Sequence, residues 1–191
     1  MNENYLAHYG VKGMRWGVRR YQNADGSLTP AGKKNEYKKS LKTDKKIRRD
    51  LELKAYDSAR FANAYFKKSK SYSKKYEKAI SKDSTKSNPK TQRIENTKSL
   101  LDSDAKKWNA YNSENVQRLK KQVDFMISKY SGTKIKDVDT KLMKNGIEYI
   151  KSTRAAMANS NVTYDLVKRR DRENNTDIYV PTKTRHYVVV T

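Results

Sequence analysis

The residue types that carry most enzymatic chemistry are sparse in this 191-residue sequence. It contains no cysteine, which excludes disulfides and thiolate metal sites. The only histidines, His8 and His186, lie near opposite ends, and neither has a serine or carboxylate at a spacing typical of a catalytic triad. Asp137 and Asp139 are a weak acidic pair, more typical of a turn or a helix start than of metal ligands. We therefore expect no catalysis, no metal and no cofactor.

Positive charge is the strongest signal in the sequence. The chain has 44 lysines and arginines against 21 acidic residues, a formal net charge of +23. This excess favours nucleic acid, an anionic membrane or an acidic protein as the partner, and it predicts association that weakens with salt. The residues predicted to bind a polyanion are Lys67, Lys68, Lys70, Lys74, Lys75 and Lys78, together with Lys168, Arg169 and Arg170.

The first 30 residues form a segment rich in glycine, aromatic and basic residues. They hold four of the seven glycines and one of the two tryptophans. Gly10, Gly13 and Gly17 are too close together for a stable helix, since each costs roughly 1 kcal/mol there relative to alanine. They also lack the preceding strand and the GxGxxG spacing of a phosphate-binding loop. The segment is therefore predicted to be an irregular loop.

Three roles fit the alternation of aromatic and basic side chains in this loop. They can stack on bases, dock into another protein as an apolar plug with a basic rim, or cover the ends of the helices that follow. Residues 1–34 hold only 6 of the 44 basic residues, which favours docking over polyanion attraction. The predicted docking residues are Tyr9, Lys12, Met14, Arg15, Trp16, Arg19, Arg20 and Tyr21. Cleavage after Arg19-Arg20 stays open.

The same loop carries a recognisable motif. Positions 8–22 read HYGVKGMRWGVRRYQ, and positions 25–34 read DGSLTPAGKK. This run resembles a short module that recurs in structural and head-morphogenesis proteins of tailed phages and prophages of Gram-positive bacteria. The resemblance covers about one sixth of the chain. It implies a phage or prophage setting with virion association, and no defined biochemical activity.

Two long helices are predicted after the loop. Apolar side chains recur at spacings of three and four over residues 35–81, including Phe66, and over residues 92–130, including Trp108 and Ile127. Residues 35–82 contain 16 basic and 6 acidic residues, so that charge pairing along this helix is incomplete. We expect the helices to pack antiparallel as a coiled-coil-like hairpin, with Trp108 at the contact.

Local signals mark where these helices begin and end. Thr29-Pro30 predicts a helix cap followed by the first helical residue, although Gly32 predicts that this helix is short. The polar, proline-containing stretch 82–91 predicts a linker between the helices. Gly132 predicts the end of the second helix.

The last 60 residues are predicted to contain a mixture of helix and strand. Residues 134–157 fit either helix or strand. Residues 162–167, 177–180 and 185–190 predict two or three short strands, with a polar basic turn at 168–175 and a break or sheet edge at Pro181. The terminal strand has the composition to add to a neighbour's sheet.

The sequence therefore predicts a mainly α fold, with a long antiparallel helical hairpin, an irregular N-terminal Gly/aromatic loop and a small C-terminal β element. The predicted domains are a motif arm, 1–34, a basic hairpin, 35–131, and a small α+β region, 132–191.

The function predicted is that of a non-enzymatic phage or prophage structural or accessory protein. Its motif would dock onto a virion or assembly component, and its hairpin would face DNA or an acidic surface. The alternative is a cytoplasmic nucleic-acid-binding protein without sequence preference, or a host-modulating prophage protein. No apolar run reaches the ~18 residues of a membrane span, and no signal-peptide pattern occurs. Host cytoplasm, virion or both are the expected locations, and self-association stays open.

Overall fold

The computed structural model describes residues 20–23, 25–82, 88–131, 139–141, 149–151 and 153–187. Within these ranges the helices are α1 (Pro30–Lys82), α2 (Pro89–Lys129) and α3 (Thr153–Ala158). The strands are β1 (Asp139–Lys141), β2 (Tyr149–Lys151), β3 (Val162–Asp171) and β4 (Thr176–Arg185). The prediction of a mainly helical chain with a small C-terminal β element is confirmed, and the structure shows that the strands of this element pair antiparallel. The chain divides into two units, Met1–Lys46 and Ile47–Thr191.

In the first unit, Thr29 caps the start of α1. Its hydroxyl oxygen accepts a hydrogen bond from the Gly32 N–H (3.0 Å) and donates to the Arg20 carbonyl (2.9 Å). The Thr29 N–H also donates to the Tyr21 carbonyl (3.1 Å), which closes a turn onto the helix. Pro30 is the first helical residue, where its missing N–H leaves no bond unmade. The predicted cap is confirmed.

The prediction that Gly32 ends this helix early is wrong, because α1 runs through it for 53 residues. One glycine costs about 1 kcal/mol in a helix, which a long helix absorbs. A Cβ atom at this position would collide with the Tyr21 carbonyl oxygen. Glycine is therefore required here by the close approach of the turn, and it does not act as a helix stop.

The second helix begins with the same kind of cap. The Asn88 side chain accepts a hydrogen bond from the Lys90 N–H (2.9 Å), and Pro89 is the first helical residue. The predicted linker, 82–91, is therefore too long, because residues 89–91 belong to α2 and Lys82 belongs to α1. The polar composition obscured the Asn-Pro start signal. At the other end, the Tyr130 N–H donates to the Met126 carbonyl (2.9 Å), while Gly132 lies outside the described residues.

The contacts between α1 and α2 show in which relative direction the two helices pack. The Asn112 side chain donates to the Ala55 carbonyl (2.8 Å), and the Phe61 and Trp108 rings lie 4.9 Å apart. Further along α1, the Ser69 hydroxyl donates to Asp102. The contacted residue number on α2 falls as the number on α1 rises, so these segments are antiparallel. Trp108 lies at the contact, as predicted, whereas the coiled-coil-like character stays a prediction.

Three apolar residues of the predicted helical stripes are exposed, and Ile47 is one of them, with an exposure of 43%. Phe66 is 50% exposed and Ile127 is 55% exposed. Their neighbours Tyr65 and Met126 take the buried positions, with exposures of 2% and 0%. Successive residues of a helix are about 100° apart, so only one of two adjacent apolar residues faces the contact. The assignment of Ile47, Phe66 and Ile127 to the buried stripe is therefore wrong.

The region predicted as either helix or strand contains both. β1 and β2 pair antiparallel, with Thr140 opposite Ile150. α3 then follows, and five of its six residues lie in the same region. The connection between β1 and β2 lies outside the described residues.

β3 and β4 form a regular two-stranded hairpin of ten cross-strand pairs, from Val162 opposite Arg185 to Asp171 opposite Thr176. The predicted turn at 168–175 is partly wrong, because residues 168–171 belong to β3. The turn occupies 172–175, where Asn175 has a left-handed φ of 45°. The predicted 185–190 strand is also wrong at its start, because Arg185 ends β4; residues 188–190 lie outside the described residues.

Pro181 lies within β4, opposite Leu166. The His186 N–H donates to the Asn161 carbonyl (2.7 Å), and hydrogen-bonded pairs alternate from there along an antiparallel ladder. The pair of Leu166 and Pro181 is consequently a non-hydrogen-bonded pair. Proline is tolerated because its missing N–H removes no ladder bond.

The Asn88 cap gives a test of how α2 begins. Asn88→Ala removes the side-chain acceptor for the Lys90 N–H, so we expect the free energy of unfolding to fall by about 1 kcal/mol. Urea unfolding followed by circular dichroism measures the change. The control is Lys90→Ala, which keeps the Asn88 acceptor and should leave stability nearly unchanged. Equal losses in both variants would contradict the capping role.

Candidate polyanion-binding surface

The β3–β4 hairpin is attached to the helices through the outward-pointing backbone groups of β4. The Tyr65 hydroxyl on α1 donates to the Tyr179 carbonyl (2.6 Å). The Asp177 N–H donates to the Thr97 hydroxyl on α2 (2.9 Å), and the Thr97 and Thr176 hydroxyls lie 3.2 Å apart. These groups are buried, so their hydrogen bonds replace those that water would otherwise supply. The inner face of the hairpin is thereby held against the helices.

A pair of tyrosines lies at the centre of this contact. The rings of Tyr72 and Tyr179 are 5.9 Å apart and inclined by 76°, an edge-to-face arrangement. Their hydroxyl oxygens are 2.9 Å apart, and the Tyr72 hydroxyl donates to Asp177 Oδ2 (3.2 Å). All three side chains are at least 95% buried. A carboxylate is therefore enclosed beside two aromatic rings.

Two lysines of α1 lie over these rings. Lys68 Nζ is 4.8 Å from the centre of the Tyr179 ring, and Lys75 Nζ is 4.6 Å from the centre of the Tyr72 ring. The negative face of an aromatic ring attracts a cation at such distances. The two ammonium groups are consequently positioned by buried rings.

Two basic residues of β3 approach the same carboxylate. Lys168 Nζ is 2.9 Å from Asp177 Oδ2, and Arg170 Nη1 is 3.4 Å from Asp177 Oδ1. Two predicted groups of basic residues, about one hundred positions apart in the sequence, thus contact the same three buried side chains: Lys68 and Lys75 lie over the two tyrosine rings, and Lys168 and Arg170 contact the carboxylate. We call this arrangement the basic cluster; it consists of Lys68, Lys75, Lys168 and Arg170 around Tyr72, Tyr179 and Asp177.

The surroundings in the basic cluster keep the carboxyl group of Asp177 ionised and the hydroxyl group of Tyr72 neutral. Burial opposes ionisation of Asp177, but the hydrogen bond and charge of Lys168, with hydrogen bonds from Tyr72 and Arg170, outweigh burial and lower its pKa. Burial raises the pKa of Tyr72, and the hydrogen bond with Tyr179 raises it further. The cluster therefore holds four cations and one anion at neutral pH.

The other predicted polyanion-binding residues are exposed outside the basic cluster. Arg169 lies on β3 between two cluster residues, and successive strand residues point to opposite faces. The remaining members lie on exposed positions of α1; they are Lys67, Lys70, Lys74 and Lys78.

Most of the predicted docking residues lie outside the described part of the chain; these are Tyr9, Lys12, Met14, Arg15, Trp16 and Arg19. Of the other two, the Arg20 guanidinium lies 5.5 Å from the centre of the Tyr21 ring, and Tyr21 is 40% exposed. Docking through these residues stays a prediction.

The two histidines and the acidic pair do not converge within the described residues. His8 and Asp137 lie outside them, Asp139 belongs to β1, and His186 Nε2 lies 3.1 Å from the Thr163 hydroxyl. No group of three or more histidine, aspartate or glutamate residues in the described ranges is arranged to hold a metal ion. In the same ranges no helix has the length and apolarity needed to cross a membrane.

Sequence reasoning missed a second anchor of the hairpin, at Asp57. Asp57 Oδ1 accepts a hydrogen bond from the Tyr164 hydroxyl (2.6 Å), and Lys183 Nζ is 2.6 Å from Asp57 Oδ2. Tyr164 and Lys183 are cross-strand partners, so both strands hold the same α1 carboxylate. A lone aspartate in a basic helix carries no motif that would identify it beforehand.

Comparison with known proteins gives one match. Residues 1–23 match the model of a family of unknown function (DUF7211). No curated protein and no solved structure matches the chain. The matched segment contains the whole motif at 8–22, and of its residues only 20–23 are described. This similarity assigns no role to the basic cluster.

The buried tyrosines predict how stability depends on alkaline pH. Burial and the nearby charge of Asp104 raise the pKa of Tyr65 to about 12, and burial also raises the pKa values of Tyr72 and Tyr164. Between pH ~10 and ~12 the unfolded chain loses these protons while the folded chain retains them. Stability should therefore be intact below pH ~10 and fall as pH rises through this window.

Denaturant unfolding across this pH range measures the loss, and absorbance at alkaline pH counts the tyrosines that ionise late. Tyr65→Phe should reduce the pH slope, because phenylalanine has no proton to lose. Tyr111→Phe, which changes an exposed tyrosine of α2, is the matched control and should leave the slope unchanged. An unchanged slope in Tyr65→Phe would contradict the conclusion that the raised pKa of Tyr65 contributes to the pH dependence of stability.

Proposed function

We propose that this chain is a non-enzymatic, phage- or prophage-encoded structural or accessory protein that holds DNA backbone phosphates on its basic cluster. The N-terminal motif would dock the protein onto a virion or assembly component. The observation that carries the DNA-binding part is that cations of α1 and β3 contact one buried group of side chains, formed by Tyr72, Tyr179 and Asp177. The resemblance of positions 8–22 to the phage module carries the docking part and the proposed location, in the host cytoplasm, the virion or both.

The geometry of the basic cluster suits phosphate groups. Lys68, Lys75, Lys168 and Arg170 carry four positive charges against the single negative charge of Asp177, a local excess of three. Asp177 is 2% exposed, so it offers no accessible surface to an incoming anion. Lysine and arginine heads near phosphate oxygens release condensed counterions, which is the main source of binding free energy without sequence preference.

The arrangement of the aromatic rings argues against recognition of bases. Tyr72 and Tyr179 are 4% and 5% exposed, so their faces are not available for stacking with a nucleobase. Contacts to phosphates fix the position of a protein on nucleic acid but do not read the sequence. We therefore infer binding without sequence preference. The packed antiparallel helices, which we propose form a coiled-coil-like hairpin, supply a rigid support for the cations.

DNA binding is tested on the cluster lysines. Lys68→Gln/Lys75→Gln should weaken binding to a labelled DNA duplex and reduce the salt dependence of log K by about one unit for each lost phosphate contact. Fluorescence anisotropy from ~50 mM to ~200 mM salt measures both quantities.

The matched control is Lys120→Gln/Lys121→Gln, which removes the same charge from exposed positions of α2. Its salt slope should stay close to that of the unchanged protein. Equal effects of the two double variants would show that total charge, and not the basic cluster, determines binding. Absence of binding at ~50 mM salt would overturn the DNA-binding part of the proposal.

The docking role is tested through the motif. Trp16→Ala in the full chain should abolish recovery of the protein with purified virions of the encoding phage, because a buried aromatic anchor can dominate an interface. DNA affinity and helicity should not change, since Trp16 lies outside the basic cluster. Mass spectrometry of the virions measures the recovery. If the unchanged protein is missing from virions yet binds DNA, the cytoplasmic nucleic-acid-binding alternative replaces the structural role.

A further inference from the structure

β3 has a backbone edge that no described residue pairs with. In β4, the Asp177 N–H and the Tyr179 carbonyl point away from β3, toward Thr97 and Tyr65. The cross-strand partners of such residues also point their N–H and carbonyl groups outward. On β3 these are Tyr164, Leu166, Lys168 and Arg170. Within the described ranges, no backbone–backbone hydrogen bond outside the pairing with β4 involves residues 164, 166 or 168.

A groove lies between the first half of this edge and α1. Its cavity volume is about 410 Å³. One wall is formed by residues 159–160 and 162–165, and the other by four residues of α1 that are three or four positions apart, together with Ala64. These four are Tyr56, Arg60, Asn63 and Lys67. An unpaired strand edge thus faces a space bounded by a basic helix.

The charge of the groove is positive. Arg60 and Lys67 are exposed cations, whereas Asp165 is the one carboxylate among the lining residues. The Arg60 guanidinium lies 5.2 Å from the centre of the Tyr56 ring and donates to its hydroxyl from Nη2 (2.8 Å). This cation is therefore held in place beside the groove.

The groove wall also contains a buried acceptor. Asn159 is 4% exposed, and its side-chain N–H donates to the Ala155 carbonyl (3.2 Å). The carbonyl oxygen of the Asn159 side chain accepts no hydrogen bond within the described part of the chain. Such buried acceptors without a partner are uncommon in folded proteins.

From these observations we infer that an extended acidic segment of a partner protein binds in this groove, adding a strand to the free edge of β3. Its backbone pairs with residues 164, 166 and 168, and alternate carboxylates lie toward Arg60 and Lys67. This binding mode obtains affinity from main-chain hydrogen bonds and specificity from alternate side chains. A second copy of this chain is disfavoured, because the Lys168, Arg169 and Arg170 of two adjoining edges would repel each other.

The probe is a fluorescein-labelled short peptide of alternating valine and glutamate, titrated into the full chain and followed by anisotropy. Its control carries N-methyl groups on alternate residues, which remove the donors that pair with β3 but keep every charge. We expect the N-methylated peptide to bind at least about tenfold more weakly, a loss of 1.4 kcal/mol. Hydrogen exchange should slow at the amides of residues 164, 166 and 168 when the unmodified peptide is bound.

Matched variants locate the peptide. Arg60→Glu/Lys67→Glu should weaken binding of the peptide at least about tenfold, while Lys120→Glu/Lys121→Glu, with the same change of charge on α2, should leave it within about twofold. The circular dichroism of both variants establishes that they fold.

Equal affinity for the peptide and its N-methylated form would overturn strand addition, because charge alone would then explain binding. The proposal is also wrong if single-stranded DNA, and not the peptide, loses affinity in Arg60→Glu/Lys67→Glu. The proposed DNA binding uses Lys68 and Lys75, so its failure in the Lys68→Gln/Lys75→Gln test would leave the peptide result unaffected.

Discussion

Attachment of the β3–β4 hairpin to the two long helices is the interaction on which the proposed sites depend. A two-stranded hairpin is marginally stable by itself in water, so it requires a surface to cover one face. Here that surface is polar as well as apolar: the Tyr65 and Thr97 hydroxyls bond to the backbone of β4, while the ring of Tyr179 is buried against Tyr72. If this contact opened, Lys168 and Arg170 would no longer lie beside the lysines of α1, and β3 would no longer form one side of a groove.

Tyrosine explains how a chain with so few aliphatic residues builds such a contact. Its ring contributes apolar area and its hydroxyl contributes a directional hydrogen bond, so one side chain both packs and specifies register. Tyr65, Tyr72 and Tyr164 each bond to a different group of the opposing element. A buried polar group left without its partner costs about 1–3 kcal/mol, which penalises any displaced register of the hairpin. The polar character of this core therefore favours one arrangement.

The same contact reduces the electrostatic repulsion that the high positive charge causes in the folded chain. A net charge of +23 destabilises a compact state through repulsion. The two carboxylates at the hairpin contact, Asp57 and Asp177, are the points at which basic residues of the hairpin are held. These carboxylates neutralise part of the positive charge, and the remaining positive charge faces outward. The features that stabilise the hairpin thus also fix where cations are presented, which links the stability of the fold to its proposed binding of anions.

The sequence by itself determined the two long helices, the Thr29 cap, the short strands near the C-terminus and the overall basic charge. Each follows from local periodicity, composition or capping chemistry, which act over a few neighbouring residues. Only the tertiary structure decided that Lys168 and Arg170 belong to β3, that residues 89–91 belong to α2, and that Phe66 is exposed. It also decided which aspartates matter, because Asp57 and Asp177 acquire their roles from partners about one hundred positions away or more. Such long-range pairings are set by how the hairpin lies on the helices, and they leave no pattern in the local sequence.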